Sequence, residues 1–243
     1  MMGLLRNKTA IVYGAAGPVG AAVAGAFARE GARVVLTGRT QGTLAKVAEQ
    51  IRDAGGNVET AVVDALDKSA VRAHADEVAA TGGIDIAFNA TSNDDLQGFP
   101  LLDMEFTDFA RPVCKVIATH FNIATVTARH MLERGGVILA LGGGREAISR
   151  LGGSHVAWSA LAGLSRQLAS ELGRSGIRVA WILSPGSPDP DNPEPGGPLS
   201  EQTLLGRRPS YQDVANAALF AASDWAATMT ATEINLTGGV VID

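Results

Sequence analysis

The sequence has few of the residues that build a disulfide framework, a metal cluster or a membrane span. Its 243 residues include one cysteine, Cys114, which excludes an intrachain disulfide and fits a reducing compartment. Aromatic residues make up only 5%, and the two tyrosines are Tyr13 and Tyr211. No apolar run approaches the length of a membrane span, and no spacing of ligand residues predicts a metal site.

The charge balance narrows the expected partners. The 25 acidic and 20 basic residues leave a net charge of -5, which offers no basic footprint for nucleic acid or an anionic membrane. The first eight residues, MMGLLRNK, are too short for a signal peptide, so we expect a cytoplasmic protein. With 46% hydrophobic residues the chain can bury a sizeable core, and we expect one domain that binds a small molecule.

A glycine-rich turn follows the first apolar run. Gly14 lets the backbone leave a strand at dihedral angles closed to other residues, Gly17 admits a ligand, and Gly20 lets the next helix lie close to the sheet. Proline suits the first helical position, and the free N–H groups of a helix start attract phosphate. The alternative is a tight connection without a ligand. We predict a phosphate site at Gly14, Gly17, Pro18, Val19 and Gly20.

Strands and helices alternate behind this turn, which is the pattern of a parallel sheet covered on both faces. The predicted strands are Thr9–Tyr13, Arg33–Thr37, Val58–Val63, Ile84–Asn89, Val137–Leu141, Ile177–Leu183 and Glu233–Leu236. The predicted helices are Val19–Glu30, Gln41–Ala54, Lys68–Ala80, Asp103–Glu133, Ser154–Leu172 and Tyr211–Ser223. Residues 184–200 hold six of the ten prolines and are predicted to form a stiff loop on the substrate side. The pattern predicts a single α/β domain of the doubly wound Rossmann type.

Ligands of such sheets lie beyond the carboxyl ends of the strands, so residues that follow each strand are site candidates. Arg39 stands where NAD-binding proteins usually carry an acid and suits a 2′-phosphate; the alternative is an exposed arginine that opens a helix. Asp64 would accept from an adenine amino group or simply start a loop. Asn89 and Ala90 would line the cofactor or merely end a strand.

Over essentially its whole length the chain resembles the short-chain dehydrogenase/reductase family. The glycine turn resembles the family's glycine motif, and Phe88-Asn89-Ala90-Thr91 resembles its Asn-Asn-Ala-Gly segment. Further landmarks are Ala160–Arg166, Glu171-Leu172, Ile177-Arg178-Val179, Ser184-Pro185-Gly186 and Gly238-Gly239. The resemblance implies an NAD(P)-binding Rossmann domain that moves hydride to or from an alcohol or carbonyl. It also implies that Pro185 and Gly186 contact the cofactor.

The catalytic residues implied by the resemblance are a tyrosine, a lysine, a serine and an asparagine, and each of their positions departs from the family. The tyrosine and lysine positions hold Ser154 and Trp158. The stretch where the serine belongs reads Leu141-Gly142-Gly143-Gly144-Arg145, and the asparagine position is Val116. Lys115 precedes Val116 but is expected to point to another face of the helix.

Four residues are therefore the candidates for altered chemistry. Ser154 has too high a pKa to protonate an alkoxide unaided, and Trp158 would stack on a flat ligand or fill the nicotinamide pocket. His120, four residues after Val116, is the helical histidine expected to approach the pocket. Arg145 would bind a carboxylate, polarise a carbonyl or form a surface ion pair.

The first hypothesis is an oxidoreductase homologue that binds NADP(H), with NAD(H) less favoured, and whose hydride-transfer machinery is non-standard or lost. Two alternatives stay open. One is a non-redox isomerase, dehydratase or cyclase that uses the same pocket, and the other is a non-catalytic binding or structural subunit. The resemblance implies a homo-oligomer, a tetramer or dimer, formed through the helices after strands four and five. Pairing with an intact homologue is also open.

Overall fold

The computed structural model describes residues 3–184, 186 and 203–240. Its strands are β1 (Thr9–Tyr13), β2 (Arg33–Gly38), β3 (Asn57–Val62), β4 (Ile86–Asn89), β5 (Gly136–Gly142), β6 (Ile177–Leu183) and β7 (Thr232–Asn235). Its helices are α1 (Pro18–Arg29), α2 (Gln41–Asp53), α3 (Lys68–Ala80), α4 (Phe106–Arg129), α5 (Ser154–Leu172) and α6 (Tyr211–Ala222). All strand pairs are parallel, in the order β3-β2-β1-β4-β5-β6-β7.

The predicted Rossmann-type sheet is confirmed, because the order of the strands reverses between β1 and β4 and helices cover both faces. On one face, Phe27 of α1 and Val214 of α6 pack on the sheet. On the other face, Val71 of α3, Ile123 of α4 and Leu168 of α5 do so. The central strand β1 is buried along its whole length, as expected of a parallel strand between two helical layers.

The predicted elements differ from the structure mainly around α4. The helix predicted over Asp103–Glu133 is shorter, since a 3-10 turn covers Leu101–Asp103 and the extended backbone of Met104 separates it from α4. The strand predicted from Ile84 begins at Ile86. Of the predicted loop 184–200, only Ser184 and Gly186 belong to the described residues.

The described helices include none with the length and apolarity that crossing a bilayer requires.

The start of α1 is held close to the turn after β1. A Cβ atom on Gly20 would lie 2.4 Å from the carbonyl oxygen of Gly14, whereas a Cβ on Gly25 in the same helix would meet only an Arg29 guanidinium nitrogen, at 3.5 Å. Gly20 is therefore required by packing, and Gly25 is not.

We expect Gly20→Ala to destabilise the protein by about 1–3 kcal/mol, because the added methyl group overpacks against backbone that cannot move aside. The matched variant Gly25→Ala should stabilise it by about 0.5–1 kcal/mol, because alanine loses less backbone entropy in a helix. Urea unfolding of both variants measures the difference. Equal effects would show that the turn does not constrain α1.

Candidate functional site

The glycine turn forms one end of a cavity. Gly14 adopts φ +76°, and a Cβ there would lie 2.5 Å from the carbonyl oxygen of Ala90, so β1 and β4 end in close contact. Helix α1 begins at Pro18 after Gly17, whose position carries no side-chain cap. The N–H groups of its first turn lack intrahelical partners and line the cavity, which suits an anionic phosphate.

The cavity follows the carboxyl ends of the parallel strands, where doubly wound sheets bind their ligands. Its volume is about 930 Å³, which is large enough for a dinucleotide and a small substrate. The sequence-predicted residues that line it are Gly14, Gly17, Pro18, Val19, Gly20, Arg39, Asp64, Ala90, Trp158 and Gly186. Pro185, which was predicted with them, lies outside the described residues.

Two charged side chains mark the end formed by β2 and β3. Arg39 is exposed to the cavity, and no carboxylate of the described residues forms an ion pair with it. Asp64 also lines the cavity, and its carboxylate accepts a hydrogen bond of 3.0 Å from the Leu66 N–H. This end therefore offers a free guanidinium and an oriented carboxylate.

Asn89 lies beneath the cavity rather than in its wall. Its side chain is 6% exposed, and its Oδ1 accepts hydrogen bonds from the Thr91 N–H at 3.0 Å and the Thr91 hydroxyl at 2.7 Å. Thr91 lines the cavity, and its Oγ1 lies 3.2 Å from Oγ1 of Thr119 in α4. Asn89 was predicted to line the cofactor, whereas the structure places it beneath Thr91, which lines the cavity instead.

Ser154 is buried and does not line the cavity. Its hydroxyl donates to the Asp95 carboxylate, and Gln97 Nε2 donates to Ser154 Oγ at 3.3 Å. Directly before Ser154, a Cβ on Gly153 would lie 1.9 Å from the carbonyl oxygen of Phe109, so the start of α5 presses against α4. Because the loop after β4 covers Ser154, this hydroxyl has no access to a ligand in the cavity.

Trp158 lines the cavity and packs against Gly143, which directly follows β5. A Cβ on Gly143 would lie 2.3 Å from Cε2 and 2.4 Å from Cδ2 of the indole. The aromatic side chain at the family's lysine position therefore depends on a glycine in the stretch where the family carries its serine. The absence of a side chain at Gly143 leaves the space that the indole occupies.

His120 and Arg145 are not in the wall of the cavity, which corrects both predictions. His120 is fully buried between α4 and α5, with Nε2 3.3 Å from Ser165 Oγ, and burial lowers its pKa to about 4. It is therefore neutral at pH 7 and shielded from the ligand. Arg145 forms an ion pair with Glu233 of β7, which is the surface ion pair that the sequence left as an alternative.

Lys115 is the cavity residue that the sequence analysis rejected. Both Lys115 and its neighbour Val116 line the cavity, although successive helix positions diverge by about 100°. The long lysine stem reaches over the end of β4, and its Nζ lies 3.4 Å from Ser92 Oγ and 3.6 Å from Asp94 Oδ2. In the sequence, the position of Lys115 beside Val116 indicated that it could reach the cavity. The direction of its Cα–Cβ bond on the helix does not determine where the end of so long a side chain lies.

Comparison with known proteins agrees with this architecture. The family model described as Enoyl-(Acyl carrier protein) reductase matches residues 14–241. The chain is 32% identical over 256 residues to the uncharacterized oxidoreductase YxbG of Bacillus subtilis, covering 99% of this chain and 93% of that protein. It is also 32% identical over 250 residues to D-threitol dehydrogenase of Mycolicibacterium smegmatis, covering 98% and 94%.

A solved structure shows the same fold with ligands. It is 7α-hydroxysteroid dehydrogenase complexed with NADH and 7-oxo glycochenodeoxycholic acid, similar at a TM-score of 0.87 and 28% identity over 99% of this chain and 97% of that chain. The chain belongs to the short-chain dehydrogenase/reductase family, and these relatives are oxidoreductases.

The contact of Trp158 with Gly143 is open to a direct test. We expect Gly143→Ala to destabilise the protein by about 1–3 kcal/mol and to shift the tryptophan emission, because the methyl group must displace the indole. Gly144→Ala is the matched control, since a Cβ there would meet no atom within 4 Å. Urea unfolding and fluorescence measure both effects. Identical behaviour of the two variants would contradict the contact.

Proposed function

We propose that the protein is an NADP(H)-binding oxidoreductase of the short-chain family whose proton transfer does not use the family's tyrosine and lysine. The observation that carries this proposal is the combination of a retained dinucleotide cavity with a replaced catalytic set. The glycine turn, Arg39 and Asp64 line that cavity. Ser154, at the tyrosine position, lies outside its wall.

The residues present fit a dinucleotide. Gly17 leaves its side of the turn open, since a Cβ there would meet only the Gly14 carbonyl oxygen, at 3.5 Å. The N–H groups of Val19 and Gly20 stand in the first turn of α1, where no helical carbonyl reaches them. They would hold the pyrophosphate, and Asp64 would accept from the adenine amino group. The bound cofactor would supply a hydride.

Arg39 supports the preference for NADP(H). Arg39 follows the end of β2, where proteins of this fold usually recognise the ribose 2′-substituent. Its neighbours in the cavity wall are Thr37, Gly38, Thr40 and Thr43. A guanidinium without a carboxylate partner among the described residues favours a phosphate over a hydroxyl, because a hydrogen bond between two opposite charges is stronger than one to a neutral oxygen.

The proton donor must differ from the family's. Ser154 lies outside the cavity wall, and burial keeps His120 neutral where α4 packs against α5. Tyr13 lies in the buried strand β1, where desolvation raises its pKa, and Tyr211 begins α6. None of these groups is an acid poised near neutral pH at the catalytic end, so reduction of ordinary ketones and aldehydes should be slow.

The burial of Ser154 also favours a second candidate, a dinucleotide-binding subunit that performs no chemistry. The hydrogen bonds of Ser154 to Asp95 and Gln97 hold the loop after β4 over the family's tyrosine position. Transfer of hydride from bound NADPH to any added acceptor would exclude this candidate.

We expect Arg39→Ala to weaken NADPH binding roughly ten- to a hundredfold and to leave NADH binding nearly unchanged, because the lost charge-assisted contact involves only the 2′-phosphate. Calorimetric titration with each cofactor measures the two affinities. The control is Arg72→Ala on α3, which removes the same charge outside the cavity wall. An unchanged affinity ratio in Arg39→Ala would refute the NADP(H) preference, and no binding of either cofactor would refute the proposed function.

We also infer a homo-oligomer, a dimer or tetramer, that pairs α4 and α5 of neighbouring chains. Val156 of α5 and Phe121 of α4 are 42% and 43% exposed in the single chain, and a Cβ on Gly163 would meet no atom within 4 Å. Such a face admits a second helix pair. Light scattering should give a dimeric or tetrameric mass, which Val156→Glu should reduce. A monomeric mass at micromolar concentration would contradict the inference.

A further inference from the structure

The replaced catalytic end brings an aromatic side chain and an ammonium group to the same edge of the sheet. Strands β4 and β5 are neighbours, with Asn89 opposite Ala140. Ser92 and Gly143 each lie three residues beyond that pair, so both follow the carboxyl ends of these two neighbouring strands. Lys115 contacts Ser92, and Trp158 contacts Gly143.

Trp158 presents an aromatic surface there. The indole packs against Gly143, and the half-buried side chain also lines the cavity. Apolar residues from three elements line the same cavity, namely Val116, Leu141 and Leu151. An aromatic side chain in such surroundings binds a planar ring by stacking and by excluding water from both surfaces.

Lys115 presents the charge. Its side chain is only 13% exposed, and its contacts with Ser92 Oγ at 3.4 Å and Asp94 Oδ2 at 3.6 Å are both long. The three N–H donors of the Lys115 ammonium are therefore not fully used by these contacts. Because the side chain is shielded from water, an anionic partner is attracted more strongly than at an exposed lysine. Ser92 also lines the cavity and adds a hydroxyl donor beside the ammonium.

Asp94, which is 63% exposed and is not in the cavity wall, forms an ion pair with Lys115 at 3.6 Å, so a ligand anion would compete with a solvated carboxylate for the ammonium. Arg39 and Asp64 belong to the end formed by β2 and β3. Arg150 and Glu146 line the cavity from the segment between β5 and α5. Both side chains are exposed, and their charges are opposite in sign. The shielded charge at the ends of β4 and β5 is that of Lys115.

We propose that the catalytic end binds a planar conjugated anion, with its ring on the Trp158 indole and its oxyanion on Lys115 and Ser92. This substrate class rests on the proposed function for its role in catalysis, but the binding site itself needs no cofactor. A carboxylate, phenolate or enolate attached to a conjugated ring meets both requirements. A preformed ammonium donor would stabilise such an oxyanion at this end of the cavity.

The test uses three probes that separate shape from charge. These are 2-naphthoate, which is planar and anionic, cyclohexanecarboxylate, which is anionic but puckered, and 2-naphthamide, which is planar but neutral. Each is titrated by calorimetry into the full-length protein, with and without NADPH. We expect 2-naphthoate to bind at least about tenfold more tightly than either of the others, because it alone uses both groups.

The variants assign each preference to its residue. Trp158→Leu should weaken 2-naphthoate about tenfold or more and abolish its advantage over cyclohexanecarboxylate, whereas Trp158→Phe, which keeps a ring, should retain it. Lys115→Met should weaken 2-naphthoate about tenfold or more and abolish its advantage over 2-naphthamide. Matched controls are Trp225→Phe and Lys46→Met, since Trp225 is 74% exposed in the 3-10 turn Asp224–Ala226 and Lys46 is exposed on α2.

Each outcome decides a separate claim. Equal affinity for the three probes, no binding of 2-naphthoate, or a 2-naphthoate affinity unaffected by both Trp158→Leu and Lys115→Met would overturn the planar-anion site. Failure of NADPH to bind while the probe pattern holds would overturn the proposed function and leave the site standing.

Discussion

The close contact between the glycine turn and the end of β4 is the constraint on which the rest of the site depends. Because Gly14 has no side chain, β1 can leave the sheet against the Ala90 carbonyl, and because Gly20 has none, α1 can start directly above that turn. These two close contacts place the first turn of α1 at the carboxyl edge of the sheet. The residues of the first turn of α1, Arg39 and Asp64 then line one continuous cavity.

At the other end of that cavity the family's catalytic positions form two new sets of contacts. Trp158 packs against Gly143, so the side chain at the predicted lysine position contacts the stretch in which the serine was expected. Ser154 joins Asp95 and Gln97 beneath the loop after β4. Both sets satisfy their packing or hydrogen-bonding needs, which is what a stable buried arrangement requires. This end of the cavity is thus packed and hydrogen-bonded, and Lys115 contributes a shielded charge to it.

Much of the fold followed from local sequence. Alternating apolar runs and glycine turns predicted each strand and helix of the described sheet, since these signals act within a few residues. The positions of the glycine turn, Arg39 and Asp64 at one edge of the sheet are also predictable. Each directly follows a strand, and the carboxyl ends of parallel strands lie at the same edge. The covered position of Ser154 was not predictable, since it depends on Asp95, which is remote in sequence.

The three side chains that were misplaced show what sequence reasoning lacks. His120 lies one helical turn after Val116 on the same face of α4. Its contact with Ser165 of α5 places it in the interface between the two helices and not in the cavity. Arg145 pairs with Glu233 of the distant strand β7. Lys115 reaches the cavity through the length of its stem. In each case a tertiary neighbour or a flexible side chain decides the position.

We propose that the dinucleotide site is retained while proton transfer by the tyrosine and lysine positions is not. The most direct measurement mixes the NADPH-bound protein with simple ketones and aldehydes and follows the absorbance of NADPH at neutral pH. We predict that NADPH stays bound and is oxidised only slowly, and that the unmodified protein and Ser154→Ala oxidise it at the same rate. Rapid oxidation that Ser154→Ala abolishes would contradict it, because the buried hydroxyl would then be the proton donor.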